Sequence, residues 1–273
     1  MRPAWSWQFE AGTLAQLPGD ALPGAITAEW AWEGSGGEGV RVAVVDSGIE
    51  AGHPLVGEVA GGVIVEADPD ADSGARLIDG AHDDLFGHGT ACAGIIHGIA
   101  PAAELYSVRV LGDRLRGRGA VFAAGLRWAI DQRMHVVNLS LSTSKRDHFG
   151  LFHELADEAY FGGVMLVCAV NNVPVPSFPS QYSSVFSVAA HRGTDPLQFD
   201  YNPTPPVEFG APGIDLEVAW RGGGTVRATG NSFAAPHVAG VVARILGKHP
   251  RLTPFQMKSV LFALATNAIG RTQ

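Results

Sequence analysis

Apolar runs rich in β-branched residues recur at residues 40–46, 104–111, 136–141, 164–169 and 185–190. Continuous apolar runs of that length are predicted to be strands buried on both faces. Helical segments are predicted between and after them: 87–97, made of small residues, 120–132 with amphipathic spacing, 151–160, 232–247 and 253–265. The last has Thr253 as N-cap, Pro254 at its first position and Gln256 where a capping box needs it. Strands alternating with helices predict a three-layer α/β fold, a mostly parallel central sheet with helices on both faces. No internal repeat and no linker interrupts the pattern. Residues 1–273 are therefore expected to form one domain, an N-terminal arm (1–38) followed by a core (39–273).

Three segments carry candidate chemistry. The run Val42-Ala43-Val44-Val45-Asp46-Ser47-Gly48 ends a predicted strand in a carboxylate and a glycine turn. In Asp84-Leu85-Phe86-Gly87-His88-Gly89-Thr90 a histidine opens a small-residue helix. In Gly230-Asn231-Ser232-Phe233-Ala234-Ala235-Pro236-His237-Val238-Ala239-Gly240 a serine stands at the start of an Ala/Gly-rich helix. Taken singly, these are a strand-end aspartate, a capping histidine and an N-cap serine. Together they supply a nucleophile, a base that takes its proton and a carboxylate that orients the base.

All three motifs, and the chain order Asp46, His88, Ser232, resemble the subtilisin-like serine peptidases. The resemblance runs from about Val40 to the last helix. It implies a subtilisin-like fold and a serine endopeptidase working through an acyl-enzyme, with Asp46, His88 and Ser232 as the catalytic triad. It also implies that Asn171, after the apolar run Met165-Leu166-Val167-Cys168-Ala169-Val170, supplies the oxyanion-hole amide beside the Ser232 N–H; an ordinary turn asparagine is the plainer alternative. A peptide or protein is the implied partner. A selective processing role is compatible with this reading. Two rivals stay open: an acyl-transfer macrocyclase on the same fold, and a catalytically silent binding module.

The resemblance further assigns substrate contacts. Ser140-Leu141-Ser142-Thr143 stands where relatives carry a glycine-rich wall of the pocket for the residue before the cut, and Val170 stands where the opposite wall has glycine. Both changes add bulk, so a small or shallow pocket is expected. Leu115, Arg116 and Gly117 match the edge segment that pairs with substrate backbone as a strand. If that segment is extended, Arg114, Arg116 and Arg118 fall on one side as a basic stripe, with a solvated loop as the alternative. Many relatives interrupt the helix after the histidine with a calcium-binding loop. Here residues 87–97 run on without one, so a tight calcium site, or any other cofactor, is not expected. The acidic stretch Asp68-Pro69-Asp70-Ala71-Asp72 offers oxygens that suit a hard cation weakly, and is read as a solvated surface loop.

Composition narrows the class. With 46% hydrophobic and 17% charged residues, the 273-residue chain suits a compact enzyme and not a disordered segment. A net charge of -8 disfavours a nucleic-acid-binding surface. Two cysteines do not make a disulfide framework; Cys92 and Cys168 both fall in apolar surroundings and are read as buried thiols. Cys92 follows His88 by one helical turn, with packing the simpler role. No segment reads as a membrane span. The start of the chain lacks the apolar core of a signal peptide, and Met1 with only a short segment before Asp46 favours a cytoplasmic location; a trimmed secreted form is the alternative. Trp5, Trp7, Trp30 and Trp32 in the arm are expected to dock on the core, an arm lying in the cleft being the other reading.

Overall fold

The computed structural model describes residues 6–9, 13 and 22–268. Its centre is a nine-stranded sheet made of β1 (Arg41–Asp46), β2 (Gly61–Ala67), β3 (Ala75–Asp79), β4 (Glu104–Arg109), β5 (Val136–Leu139), β6 (Met165–Ala169), β7 (Phe186–His191), β8 (Asp200–Tyr201) and β9 (Phe209–Pro212). The spatial order is β3-β2-β4-β1-β5-β6-β7-β9-β8. Only the outermost pairs, β2 with β3 and β8 with β9, are antiparallel. Helices cover both faces, as the alternation of strand and helix requires.

The continuous apolar strands have a hidden period of two. Val42, Val44, Val136, Met165 and Val167 face one core, packed under α2 (His88–Ile99), α5 (Asn231–Lys248) and α6 (Pro254–Leu264). Ala43, Val45, Val137, Leu166 and Cys168 face the other, under α3 (Gly119–Asp131) and α4 (Phe149–Phe161). A strand sandwiched in this way has no solvent face, so its sequence shows no polar alternation. The capping box of α6 forms as expected, Thr253 Oγ1 accepting from the Gln256 N–H.

Six strands and one short α-helix among the described residues go unpredicted. β2 and β3 form an edge hairpin whose turn holds Asp68, Asp70 and Asp72; the Asp70 N–H donates to Asp68 Oδ1 at 3.1 Å, so the acidic stretch is a turn. β8 and β9 close the opposite edge. A separate hairpin, β10 (Leu216–Trp220) with β11 (Gly224–Ala228), lies against α2. Helix α1 (Ala28–Ala31) belongs to the arm, which docks at the far end of α5. There Trp30 stacks on His249 with ring centroids 4.1 Å apart, Trp32 is buried, and Arg244 Nε donates to the Ser35 carbonyl. His249 lies seventeen residues beyond Ser232, about 25 Å along a helix axis. This part of the arm therefore wraps the core and does not enter the cleft. Trp5 and the side chain of Trp7 lie outside the described residues.

Candidate active site

The three motifs meet at the C-terminal edge of the central strands. β1 delivers Asp46 at its last residue, and the chain then turns at Gly48, whose φ is 113°. A β-carbon at Gly48 would lie 2.5 Å from the Asp83 carbonyl oxygen, so only glycine fits. The turn lets the start of α2 approach β1 and brings His88 onto Asp46. The His88 Nδ1–H donates to both carboxylate oxygens of Asp46 at 2.9 Å. A carboxylate can only accept, which fixes the tautomer and leaves Nε2 as the base. Both side chains are buried, as the contact requires.

Asp84 holds this arrangement from below. Its carboxylate accepts from the Ser47 hydroxyl, the Phe86, Gly87 and Thr90 N–H groups and the Thr90 hydroxyl, all within 2.7–2.9 Å. Gly87 has no side chain to cap α2, so Asp84 accepts from the Thr90 N–H and Ser47 Oγ from the Gly89 N–H instead. Burial works against the charge on Asp84, but these hydrogen bonds hold its carboxyl below the usual range. Burial likewise opposes a charge on His88. Asp46, by charge and hydrogen bond, and Asp84, by charge, outweigh it and raise the imidazole above its ordinary value of 6.5.

Ser232 is the second residue of α5 and shares the cleft with His88; Phe233, next in the chain, has its ring centroid 5.2 Å from that of His88. Pro236 explains how the serine is held. Proline has no N–H to give the carbonyl four residues earlier, which is that of Ser232. Ser140 supplies the missing donor, its hydroxyl lying 2.7 Å from the Ser232 carbonyl, while Asn138 Nδ2 donates to Ser140 in turn. Cys92 Sγ also approaches the same two groups, at 3.3 Å from Ser140 Oγ and 3.6 Å from the Ser232 carbonyl. Burial raises the Cys92 thiol well above its usual range, so it sits under the site as an inert, packed thiol. Asp46, His88 and Cys92 bring one ligand atom each to within 4.8 Å of one another, but that contact set is already spent on the Asp46–His88 hydrogen bond.

The oxyanion side differs from the expectation. Asn171 Oδ1 accepts from the Val173 N–H at 3.0 Å, a local turn, and the Asn171 N–H donates to Ser177 Oγ. The neighbouring Asn172 is the residue turned toward the serine. A β-carbon on Gly230 would lie 3.2 Å from Ser232 Oγ and 3.6 Å from Asn172 Nδ2, so the hydroxyl and the amide flank one point. Asn172 Oδ1 accepts from the Asn231 N–H at 2.9 Å, which points its amide nitrogen away from that bond. The Asn231 side chain staples the rest: Nδ2 donates to the Val170 and Asn171 carbonyls, and Oδ1 accepts from the Ala190 N–H on β7. The asparagine amide beside the serine is thus one residue beyond the expected one, because two asparagines follow β6 and only the fold distinguishes them.

The cleft has a volume of about 450 Å³. Ser140, Leu141, Ser142 and Val170 line it, as does Leu115. Ser140 is buried and serves the Ser232 carbonyl more than the cleft surface. Phe86 and Trp220 form a side that the motifs did not announce, with ring centroids 5.5 Å apart. The edge segment is only partly extended. The Leu115 N–H donates to the Gly112 carbonyl at 3.1 Å, and Leu115 has φ 51°. Arg114 falls in that turn, while Arg116, Gly117 and Arg118 line a neighbouring cavity. The three-arginine stripe is therefore a two-arginine one.

The chain is similar to several known proteins. A thermostable alkaline protease of Halalkalibacterium halodurans is 35% identical over 244 residues, covering 84% of this chain and 63% of its own length. Subtilisin E of Bacillus subtilis is 30% identical, with 86% of this chain and 62% of its own length covered. Subtilisin BL of Lederbergia lenta is 32% identical, with 86% of each chain covered. The chain thus spans less than two thirds of the length of the first two. The crystal structure of a cold adapted subtilisin-like serine proteinase shares the fold, with a TM-score of 0.66 at 24% identity, over 88% of this chain and 89% of that one. The model of the subtilase family matches residues 37–273. With His88 and Ser232 sharing one cleft of that fold and Asp46 buried behind His88, the chain belongs to the subtilase family.

Proposed function

We propose that the protein is a serine endopeptidase that hydrolyses peptide bonds through an acyl-enzyme. The observation that carries this reading is the buried Asp46–His88 pair, oriented so that His88 Nε2 is free to act in the cleft that holds Ser232. His88 takes the proton of the Ser232 hydroxyl as the oxygen attacks the substrate carbonyl. Asp46 holds the imidazolium that forms. The charge that develops on the carbonyl oxygen is met by the Ser232 N–H at the start of α5 and by Asn172 Nδ2. His88 then gives its proton to the departing amine, and water resolves the ester by the same steps reversed.

Water is favoured over an amine as the final acceptor because Asn172 is exposed and Ser232 half-buried, so the ester is open to solvent. The residue before the cut would sit against Leu141, Ser142 and Val170, with substrate backbone running along Leu115–Gly117. The glycine of the opposite wall is expected just before the oxyanion asparagine, so with Asn172 in that role it falls on Asn171. Bulk at Ser142 and Asn171, both lining the cleft, supports small or modest apolar side chains there, and Asn171→Gly should widen the choice.

Cleavage of a peptide library read by mass spectrometry tests the reading. New termini carrying one added water, absent with Ser232→Ala, are expected. Cyclised or transferred products without added water would replace hydrolysis by acyl transfer, and no product at all would leave a binding module.

A further inference from the structure

We propose that a second cavity, continuous with the cleft, selects an acidic side chain of the substrate on the acyl side of the cut bond. This rests on the peptidase reading above and specifies its substrate. The cavity holds about 350 Å³ and shares Leu111, Leu115, Leu141 and Ser142 with the cleft. A chain leaving Ser232 past Leu141 and Ser142 runs into it.

The lining divides into an apolar floor and a cationic rim. Leu111, Phe122 and Leu141 form the floor; Arg116, Arg118, Lys145 and His148 stand around it. No carboxylate lines the cavity. Asp113 and Asp147 are close in sequence, yet among the described residues neither pairs with Arg116, Arg118 or Lys145, and those three cations form no ion pair at all. A lining of cations without a carboxylate runs against the balance of the whole chain, where 27 acidic residues outnumber 19 basic ones. Elsewhere Arg76, Arg127, Arg227 and Lys258 pair with carboxylates, and Arg41, Arg109, Arg221, Arg244 and Lys248 donate to backbone carbonyls; among the described residues Arg116, Arg118 and Lys145 do neither.

The first turn of α3 adds to the same field. Arg118 is its N-cap residue and makes no side-chain cap bond, so the positive end of a thirteen-residue helix borders the cavity without an acceptor from the chain. The His148 ring packs directly on Gly119, the first residue of that helix, which is possible only because glycine leaves the space. A carboxylate entering here meets two guanidinium groups, an ammonium and uncapped N–H groups. A glutamate also has methylenes to lay on Phe122 and Leu141. The chemistry asked for is an acid on a short apolar stem.

Matched quenched-fluorescence peptides test this, carrying Glu, Gln, Leu or Lys at one position, scanned from the second to the fifth residue before the cut. Exposed charges of this kind give a preference of about three- to tenfold for Glu over Gln at low ionic strength, fading as salt screens them. At the favoured position kcat/KM should fall in the order Glu, Gln, Lys. In Arg118→Gln/Lys145→Gln the Glu/Gln ratio should drop to near one, and in Lys145→Glu the Glu/Lys order should invert. Each ratio is taken within one preparation, so a partly unfolded variant alters both rates alike.

The same peptides are titrated against Ser232→Ala by fluorescence anisotropy, which reads the cavity without turnover. Equal Glu and Gln rates at every position, or Leu as the fastest residue, would overturn the proposal while leaving the peptidase reading intact. No cleavage by the native protein, with tighter binding of the Glu peptide to Ser232→Ala, would overturn the peptidase reading and keep the cavity.

Discussion

On the His88 side of Ser232, Asp46, Ser47, Asp84, His88 and Thr90 are all buried and bound to one another. On the other side, Asn171 and Asn172 stand in a partly exposed loop held by Asn231 and Ser177. The two sides would supply comparable catalytic terms, a base and an oxyanion donor, from opposite kinds of structure. A buried polar group must find its partners inside the protein, so altering one strands several others. A half-exposed group can return its hydrogen bonds to water. Damage on the first side should therefore be structural as well as kinetic, and on the second side kinetic alone.

The largest expected effect that separates the sides is at Asn172. Asn172→Ala should lower kcat about 10²- to 10³-fold with little change in melting temperature. Asn171→Ala should cost much less, since its Oδ1 serves only a local turn. Equal losses at the two positions, measured as kcat on one peptide, would erase the distinction drawn between them.

Next is Asp84→Ala, which leaves five donors, four at the entry to α2 and the Ser47 hydroxyl, without their acceptor. A loss of roughly 3 kcal/mol or more in stability is expected in denaturant titrations. A variant as stable as the parent would show that water replaces the carboxylate there. Ser140→Ala should be milder, about 1–3 kcal/mol, because it leaves the Ser232 carbonyl, which Pro236 already deprives of its helical donor, with only the weak Cys92 thiol. Its kcat should fall with it, since the serine is anchored through that carbonyl.

The smallest effect is in pH. His88 is raised above its ordinary 6.5, and only the neutral imidazole can take the Ser232 proton. kcat/KM should therefore rise with pH through a value above 6.5. The stability contribution runs the other way: the charged His88–Asp46 pair is fully present below the unfolded-state value and is lost as pH rises through the folded one. A profile of kcat/KM against pH that is already flat at pH 6 would contradict this.

The same contrast explains what the amino-acid pattern disclosed. Strands β1, β4, β5, β6 and β7 were legible because burial on both faces leaves unbroken apolar runs, and α6 because Thr253 and Gln256 spell its cap. Asp46, His88 and Ser232 were legible because a buried reacting group demands particular neighbours: glycine at 48, small residues in α2, proline at 236. The edge hairpin β2–β3 was not, since β3 buries only its first residue and its preference comes from tertiary pairing. Nor was the choice between Asn171 and Asn172. Past Ala169 the strand period stops, and two identical side chains in a loop differ only in which one the Asn231 N–H fixes. Arg114 left the expected stripe for a similar reason, because Leu115 takes a left-handed turn that nothing in its side chain announces.

Reaction with a fluorophosphonate probe tests the central claim most directly, because only a hydroxyl activated by its base and facing an oxyanion hole is phosphonylated. Intact-mass measurement should show one adduct per chain, located on Ser232 by peptide mapping, lost in Ser232→Ala and much slowed in His88→Ala. An unmodified protein, or an adduct on any other residue, would contradict the account.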